Sequence, residues 1–94
     1  MKSAFYIQFN VKTPEGLHTY GRFAIGNSRE AAAQIFGQLR GRPDVSELNF
    51  LTLELMETVG DLPVNLKMLS CTLDDLAYNC RIISREVFNQ LNLK

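Results

Sequence analysis

The sequence predicts an α+β fold: a two-layer sandwich with a four-stranded antiparallel sheet and two helices on one face, in ββαββα order. Three observations lead there. Residues alternate with a period of two in four runs, turn residues join the runs in pairs, and each pair is followed by a capping signal and apolar residues at helical spacing. The pattern is written twice. A shift of 45 positions lays Leu17 on Leu62, Phe23 on Met68, Asn27 on Thr72, Glu30 on Asp75 and Ala32 on Ala77, a tandem ββα repeat with units 3–41 and 48–92 in one domain, 1–94.

The first unit opens with Phe5, Ile7, Phe9 and Val11 alternating with Tyr6, Gln8, Asn10 and Lys12, as expected of a strand with one face on a core. Thr13-Pro14-Glu15-Gly16 then turns the chain, because Pro presets the backbone at the second turn position and Gly suits the last. Leu17 to Ile25 returns antiparallel, with Phe23 and Ile25 inward and Tyr20 and Arg22 outward. Gly21 interrupts this strand and marks a bulge or a close backbone approach. Asn27 or Ser28 caps the next helix, with Glu30 as the reciprocal acid of Asn27. Ala32, Ile35, Phe36 and Leu39 form its buried stripe, and Arg40 with Gly41 supplies a cation and a stop before Pro43.

The second unit begins with a strand over Leu48 to Val59, in which Leu51, Leu53 and Leu55 face one way and Phe50, Thr52, Glu54 and Met56 the other. Gly60-Asp61-Leu62-Pro63 makes the hairpin connection, and Val64, Leu66 and Met68 bring the chain back. Thr72 with Asp75 caps a helix reaching nearly to Leu91, whose stripe is Leu73, Leu76, Ala77, Cys80, Ile83, Val87 and Leu91. One core is expected to hold Phe9, Phe23, Leu53, Leu66, Ile35, Phe36, Ile83 and Val87. The alternation does not specify the order of the strands in the sheet.

Composition narrows the function classes. The chain has 94 residues, 10 basic and 10 acidic, so it lacks the global field that holds a phosphate backbone or an anionic membrane, and nucleic acid is an unlikely partner. The N-terminal run alternates polar and apolar residues, unlike a signal peptide, and no apolar stretch approaches the ~20 residues of a spanning helix, so a cytoplasmic protein without membrane contact is expected. Cys71 and Cys80 match neither a CxxC nor a zinc spacing, and one His cannot complete a His-rich metal site. Both cysteines are read as free thiols, Cys80 as a small core hydrophobe.

No catalytic motif is present, and no cofactor or metal is expected. A solvated strand-edge histidine accounts for His18, and Asp74 and Asp75 suit the positive end of a helix. Arg40-Gly41-Arg42 fits cations at a helix end better than an anion site. A stronger signal lies on the sheet face away from the helices, where Tyr6, Tyr20, Phe50 and Leu69 are expected among Gln8, Asn10, Arg22, Thr52, Glu54 and Lys67. An apolar patch rimmed by polar groups marks an interface, so Tyr6, Tyr20, Arg22, Phe50, Glu54, Lys67 and Leu69 form a candidate interaction surface. The expected function is a non-enzymatic interaction or dimerisation module, with a homodimer or a protein partner. A nucleic-acid or nucleotide-binding accessory domain is the alternative and a small enzyme the third reading. Likeness to other small ββα repeats is architectural and implies no activity.

Overall fold

A computed structural model describes residues 3–43 and 51–92. Its elements come in the expected order: β1 (Ser3–Thr13), β2 (Gly16–Gly26), α1 (Arg29–Gly37), β3 (Leu51–Val59), β4 (Leu62–Cys71) and α2 (Leu73–Asn92). The four strands form one antiparallel sheet in the order β2-β1-β3-β4. The two hairpins therefore join through their first strands, with Ile7 opposite Leu55 and Phe9 opposite Leu53.

Both turns are two residues long, Pro14-Glu15 and Gly60-Asp61. Gly60 sits at φ +64, in the left-handed region that tight hairpin turns demand. In the other turn the Thr13 hydroxyl donates to the Gly16 carbonyl at 2.9 Å and accepts from the Glu15 N–H at 3.2 Å.

The alternation in β1 and β3 puts Phe5, Ile7, Leu51, Leu53 and Leu55 on one face, where they join Ala32, Ile35 and Phe36 of α1 and Ile83 of α2 in one buried cluster. Phe9, Phe23, Leu66 and Val87 pack against it, so all eight expected core residues lie in or beside this cluster. Fully burying each large apolar side chain is worth about 1.5–3 kcal/mol, and this face is where the fold gains most of its stability.

Of the two expected capping candidates, Ser28 and not Asn27 caps α1, accepting from the Ala31 N–H at 3.2 Å. Moreover α1 stops at Gly37, three residues short of Arg40, with Gln38 as its C-cap. The chain leaves the helix early because residues 40–42 are recruited elsewhere: Arg42 pairs with Ser70 on the edge of β4 through N···O contacts of 2.9 and 2.8 Å. Gly41 permits that approach, since a Cβ there would lie 2.8 Å from the Ser70 carbonyl oxygen. At α2 the expected capping box forms, Thr72 N–H to Asp75 Oδ2 and Asp75 N–H to Thr72 Oγ1, each at 3.1 Å.

The α2 stripe is rotated from the one expected. Leu73 and Ala77 are exposed, while Asn79, Ile82 and Ile83 are buried. Asn79 explains the rotation. Its amide is fully buried and holds the Arg40 backbone on both sides, Arg40 N–H to Oδ1 and Nδ2–H to the Arg40 carbonyl, each at 2.7 Å. The side chain thus pairs with a chain segment as a neighbouring strand would. Arg40's guanidinium lies 3.8 Å from the centre of the Tyr78 ring, so Arg40 serves packing rather than a helix terminus.

Candidate functional site

Register decides which of the candidate interaction residues meet. On the face away from the helices, Tyr6 stands between Ala24 and Met56, Gln8 between Arg22 and Glu54, and Asn10 between Thr19 and Thr52. Tyr6, Arg22 and Glu54 therefore share this face, as the alternation predicts. Phe50 lies outside the described residues.

Tyr20, Lys67 and Leu69 do not join them, and two bulges are the reason. In the first hairpin Phe9 pairs with Gly21 and Asn10 with Thr19, leaving Tyr20 as the extra residue. The bulge turns Tyr20 toward the core side, where its ring centre is 6.3 Å from that of Phe9. In the second hairpin Leu55 pairs with Lys67 and Met56 with Asn65, leaving Leu66 extra. Leu69 consequently sits opposite Leu53 and packs against the core, Lys67 faces the same side, and Met68 takes the outer position opposite Glu54. Gly21 signals the first bulge; no residue type signals the second.

The outer face that remains is a polar network rather than an apolar patch. Glu54 is its centre: Oε2 accepts from Asn10 Nδ2 at 2.7 Å and Gln8 Nε2 at 3.1 Å, and Oε1 accepts from Asn65 Nδ2 at 3.1 Å. The carboxylate is held by three amide donors. Gln8 passes the order outward, its Oε1 accepting from Arg22 Nε at 3.1 Å, while Thr19 Oγ1 donates to Asn10 Oδ1 at 2.9 Å. Arg22's guanidinium lies over Tyr6, 5.5 Å from the ring centre, within cation–π range. Thr52 is buried on this face, and its hydroxyl has no hydrogen-bond partner among the described residues.

Next to Tyr6 the face is concave. A depression of about 420 Å³ lies between Tyr6, Arg22, Ala24, Thr58, Asp61 and Pro63. It offers a cation, an aromatic ring, a carboxylate and apolar walls within one recess, on a face already ordered by hydrogen bonds.

On the helix side, nothing in the strand pattern singles out Glu57, yet it is buried opposite Phe5 and bonded by Arg29 Nη2 at 2.6 Å. Arg29's guanidinium also lies 5.7 Å from the Phe5 ring centre, so this pair ties the first residue of α1 to the sheet. Both cysteines are free thiols. Burial, reinforced by the nearby Asp75 charge, pushes Cys71 up to about 11 despite the hydrogen bond from Asn79, and burial also raises Cys80. Neither thiol is poised as a nucleophile at neutral pH. Among the described residues no group of three or more His, Cys, Asp or Glu side chains could hold a metal ion. No described helix is long and apolar enough to cross a membrane.

No family model, no curated protein and no solved structure matches this chain.

Proposed function

We propose that this chain is a non-enzymatic interaction module that presents the outer sheet face around Tyr6 to a protein partner. The preorganisation of Arg22 carries the reading. Its guanidinium is held by Gln8 and by the Tyr6 ring, and Gln8 is held in turn by Glu54. A fixed arginine over an aromatic ring loses little side-chain entropy on binding, and Tyr and Arg are the residue types that most often dominate interfaces. The recess beside them suits a segment that offers an acidic group to Arg22 and an apolar group to Ala24 and Pro63. The raised thiols speak against covalent chemistry at either cysteine.

The test begins with a partner isolated from the native host on immobilised wild-type protein. Calorimetry on the purified pair then compares wild type with Tyr6→Ala and Arg22→Ala, each checked for an unchanged melting temperature. The expected result is at least about tenfold weaker binding for each variant, the effect of losing a central aromatic or arginine contact. Unchanged affinity in both variants would overturn the reading.

A further inference from the structure

The two edges of the sheet are treated differently. At β4 the edge is obstructed: Arg42 is bonded to Ser70 on both its N–H and its carbonyl, and Pro63 stands within the strand and lacks a donor. At β2 the only strand neighbour among the described residues is β1, and the strand has no proline and no lysine; its own irregularities, at Tyr20 and Ile25, flank a regular stretch between them. Beside this edge, between β2 and α2, lies a mainly apolar hollow of about 470 Å³ walled by Phe23, Ala24, Ile83, Val87 and Phe88, with Arg22 and Ser84 at it too. Phe88, itself part of that wall, has 66% of its surface exposed.

We propose that the β2 edge is where two copies of this chain join. β2 pairs antiparallel with β2 of a second copy about a twofold axis at Phe23, making one continuous sheet, and each Phe88 seats against the cavity beside the other copy's β2.

Four features select a second copy as the occupant. A twofold interface uses the same patch on both partners, so it needs a protrusion and a hollow on one surface, and this patch carries both. An antiparallel edge rotated about a twofold axis meets its own complement of N–H and C=O groups. Centring the pairing on Phe23 sets the two Phe23 rings opposite each other on the helix side and Arg22 opposite Ala24, so the like charges of Arg22 are not opposed. The register of β2 against β1 is regular from Gly21 to Ala24, which gives the new strand an undistorted template there. The obstructed β4 edge then ends the assembly at two copies. Of the roughly 800 Å² per partner in a standard interface, two aromatics, Tyr20 and Phe88, each about two-thirds exposed, can supply about a third.

The proposed seam shares Arg22 and Ala24 with the partner reading, so the first arm of the test uses Phe88, which lies on α2 and not on the outer face. Light scattering at about 100 μM, where a dimer with micromolar Kd is formed, is expected to give twice the monomer mass for wild type and the monomer mass for Phe88→Asp, with unchanged far-UV circular dichroism. A second arm does not depend on Phe88. Arg22→Cys and Ala24→Cys chains, mixed under mild oxidation, are expected to form a mixed disulfide at least about tenfold faster than either forms a symmetric one, since the opposed pair is closer than the diagonal pairs. A wild type that is monomeric at that concentration overturns the proposal. So does a dimer whose mixture crosslinks no faster than its components, a result that would place the contact elsewhere.

Discussion

The two hairpins pair alike as far as Ala24 and Ser70, and their ends and helices then diverge. Thr13 meets Gly16 as Val59 meets Leu62, Phe9 meets Gly21 as Leu55 meets Lys67, and the extra residue is Tyr20 in one and Leu66 in the other, all 46 positions apart. From the caps onward the matching displacement drops to 44 in two steps: a second irregularity in the first hairpin leaves Ile25 extra, so Phe5 meets Gly26 where Leu51 meets Cys71, and Asn27 then intervenes between Gly26 and Ser28 whereas Thr72 comes directly after Cys71. A single shift of 45 straddles these two registers. It therefore aligns Phe23, which faces the core, with Met68, which faces out, and buried Ala32 with exposed Ala77. At the structural displacements Phe23 falls on Leu69, Ile35 on Asn79 and Phe36 on Cys80. Every one of these is at least partly buried.

The difference teaches how one plan yields two kinds of surroundings. In the first unit the helix ends after 9 residues, and the next stretch of chain is spent on the edge of β4 and on Asn79. In the second unit the helix runs 20 residues, and its buried positions include a polar side chain that receives the first unit's exit segment. One unit thus blocks the other's outer edge, while its own outer strand has β1 as its only strand neighbour among the described residues.

The largest expected effect separates the two eighth positions after the caps. Phe36→Ala removes a ring from the core cluster and should cost about 3–5 kcal/mol, whereas Cys80→Ala, at a half-buried position, should cost about 1 kcal/mol. Chemical denaturation measures both. A loss below about 1 kcal/mol at Phe36 would take that ring out of the core and with it the match between the helices.

The next effect separates the two seventh positions. Ile35 and Asn79 are both essentially fully buried, but Asn79 holds two backbone groups of Arg40 at once. Asn79→Ala takes that partner from the Arg40 N–H and carbonyl, at about 1–3 kcal/mol for each group, so a loss of about 2–4 kcal/mol is expected. Asn79→Leu should lose as much despite its greater hydrophobicity. Hydrogen exchange supplies an independent check, since the Arg40 amide should exchange much faster in either variant. If that amide kept its protection, Asn79 would not be the clamp.

These positions also show how much of the fold is legible in the sequence. Period two in β1 and β3 is unbroken, so alternation alone assigns Ile7, Leu53 and Leu55 to the core. Beyond a bulge the parity reverses, and every later residue changes face unless the bulge is seen first. That is why alternation places Arg22 and Tyr6 together, as the structure does, and misplaces Tyr20, Lys67 and Leu69. Asn79 is invisible for another reason. An asparagine within a helix looks like a surface residue until the backbone it serves, 39 positions earlier, is brought alongside.

A smaller contrast lies in the caps. Thr72 and Asp75 bond each other's backbone N–H reciprocally, whereas Ser28 makes one contact at 3.2 Å. Thr72→Ala should cost about 1–2 kcal/mol and Ser28→Ala about 0.5–1 kcal/mol. The reverse order in thermal melts would mean that the short helix, not the long one, depends more on its start.

The smallest contrast is silent at neutral pH and emerges only in alkali. Ile25 and Cys71 are both buried in the core near the ends of their return strands, but only the thiol carries a proton to lose. Its folded value, about 11, stands above the ordinary 9.0, chiefly because burial penalises the thiolate. The unfolded chain therefore releases this proton at lower pH than the folded one. The stabilisation is fully present below about pH 9 and is lost as pH rises through about 11. The melting temperature of wild type should then fall more steeply between pH 9 and 11 than that of Cys71→Ala, while the two curves run parallel from pH 6 to 8. Tyr and Lys titrate in the same range, but both proteins share them, so the difference between the slopes isolates the thiol. Iodoacetamide gives the same comparison kinetically: at pH 8 Cys80, only partly buried, should be modified before Cys71, which lies under the Asn79 clamp. Equal slopes together with equal alkylation rates would mean that Cys71 is open to solvent on the timescale of the reaction, and the second hairpin would then be looser at its end than the first.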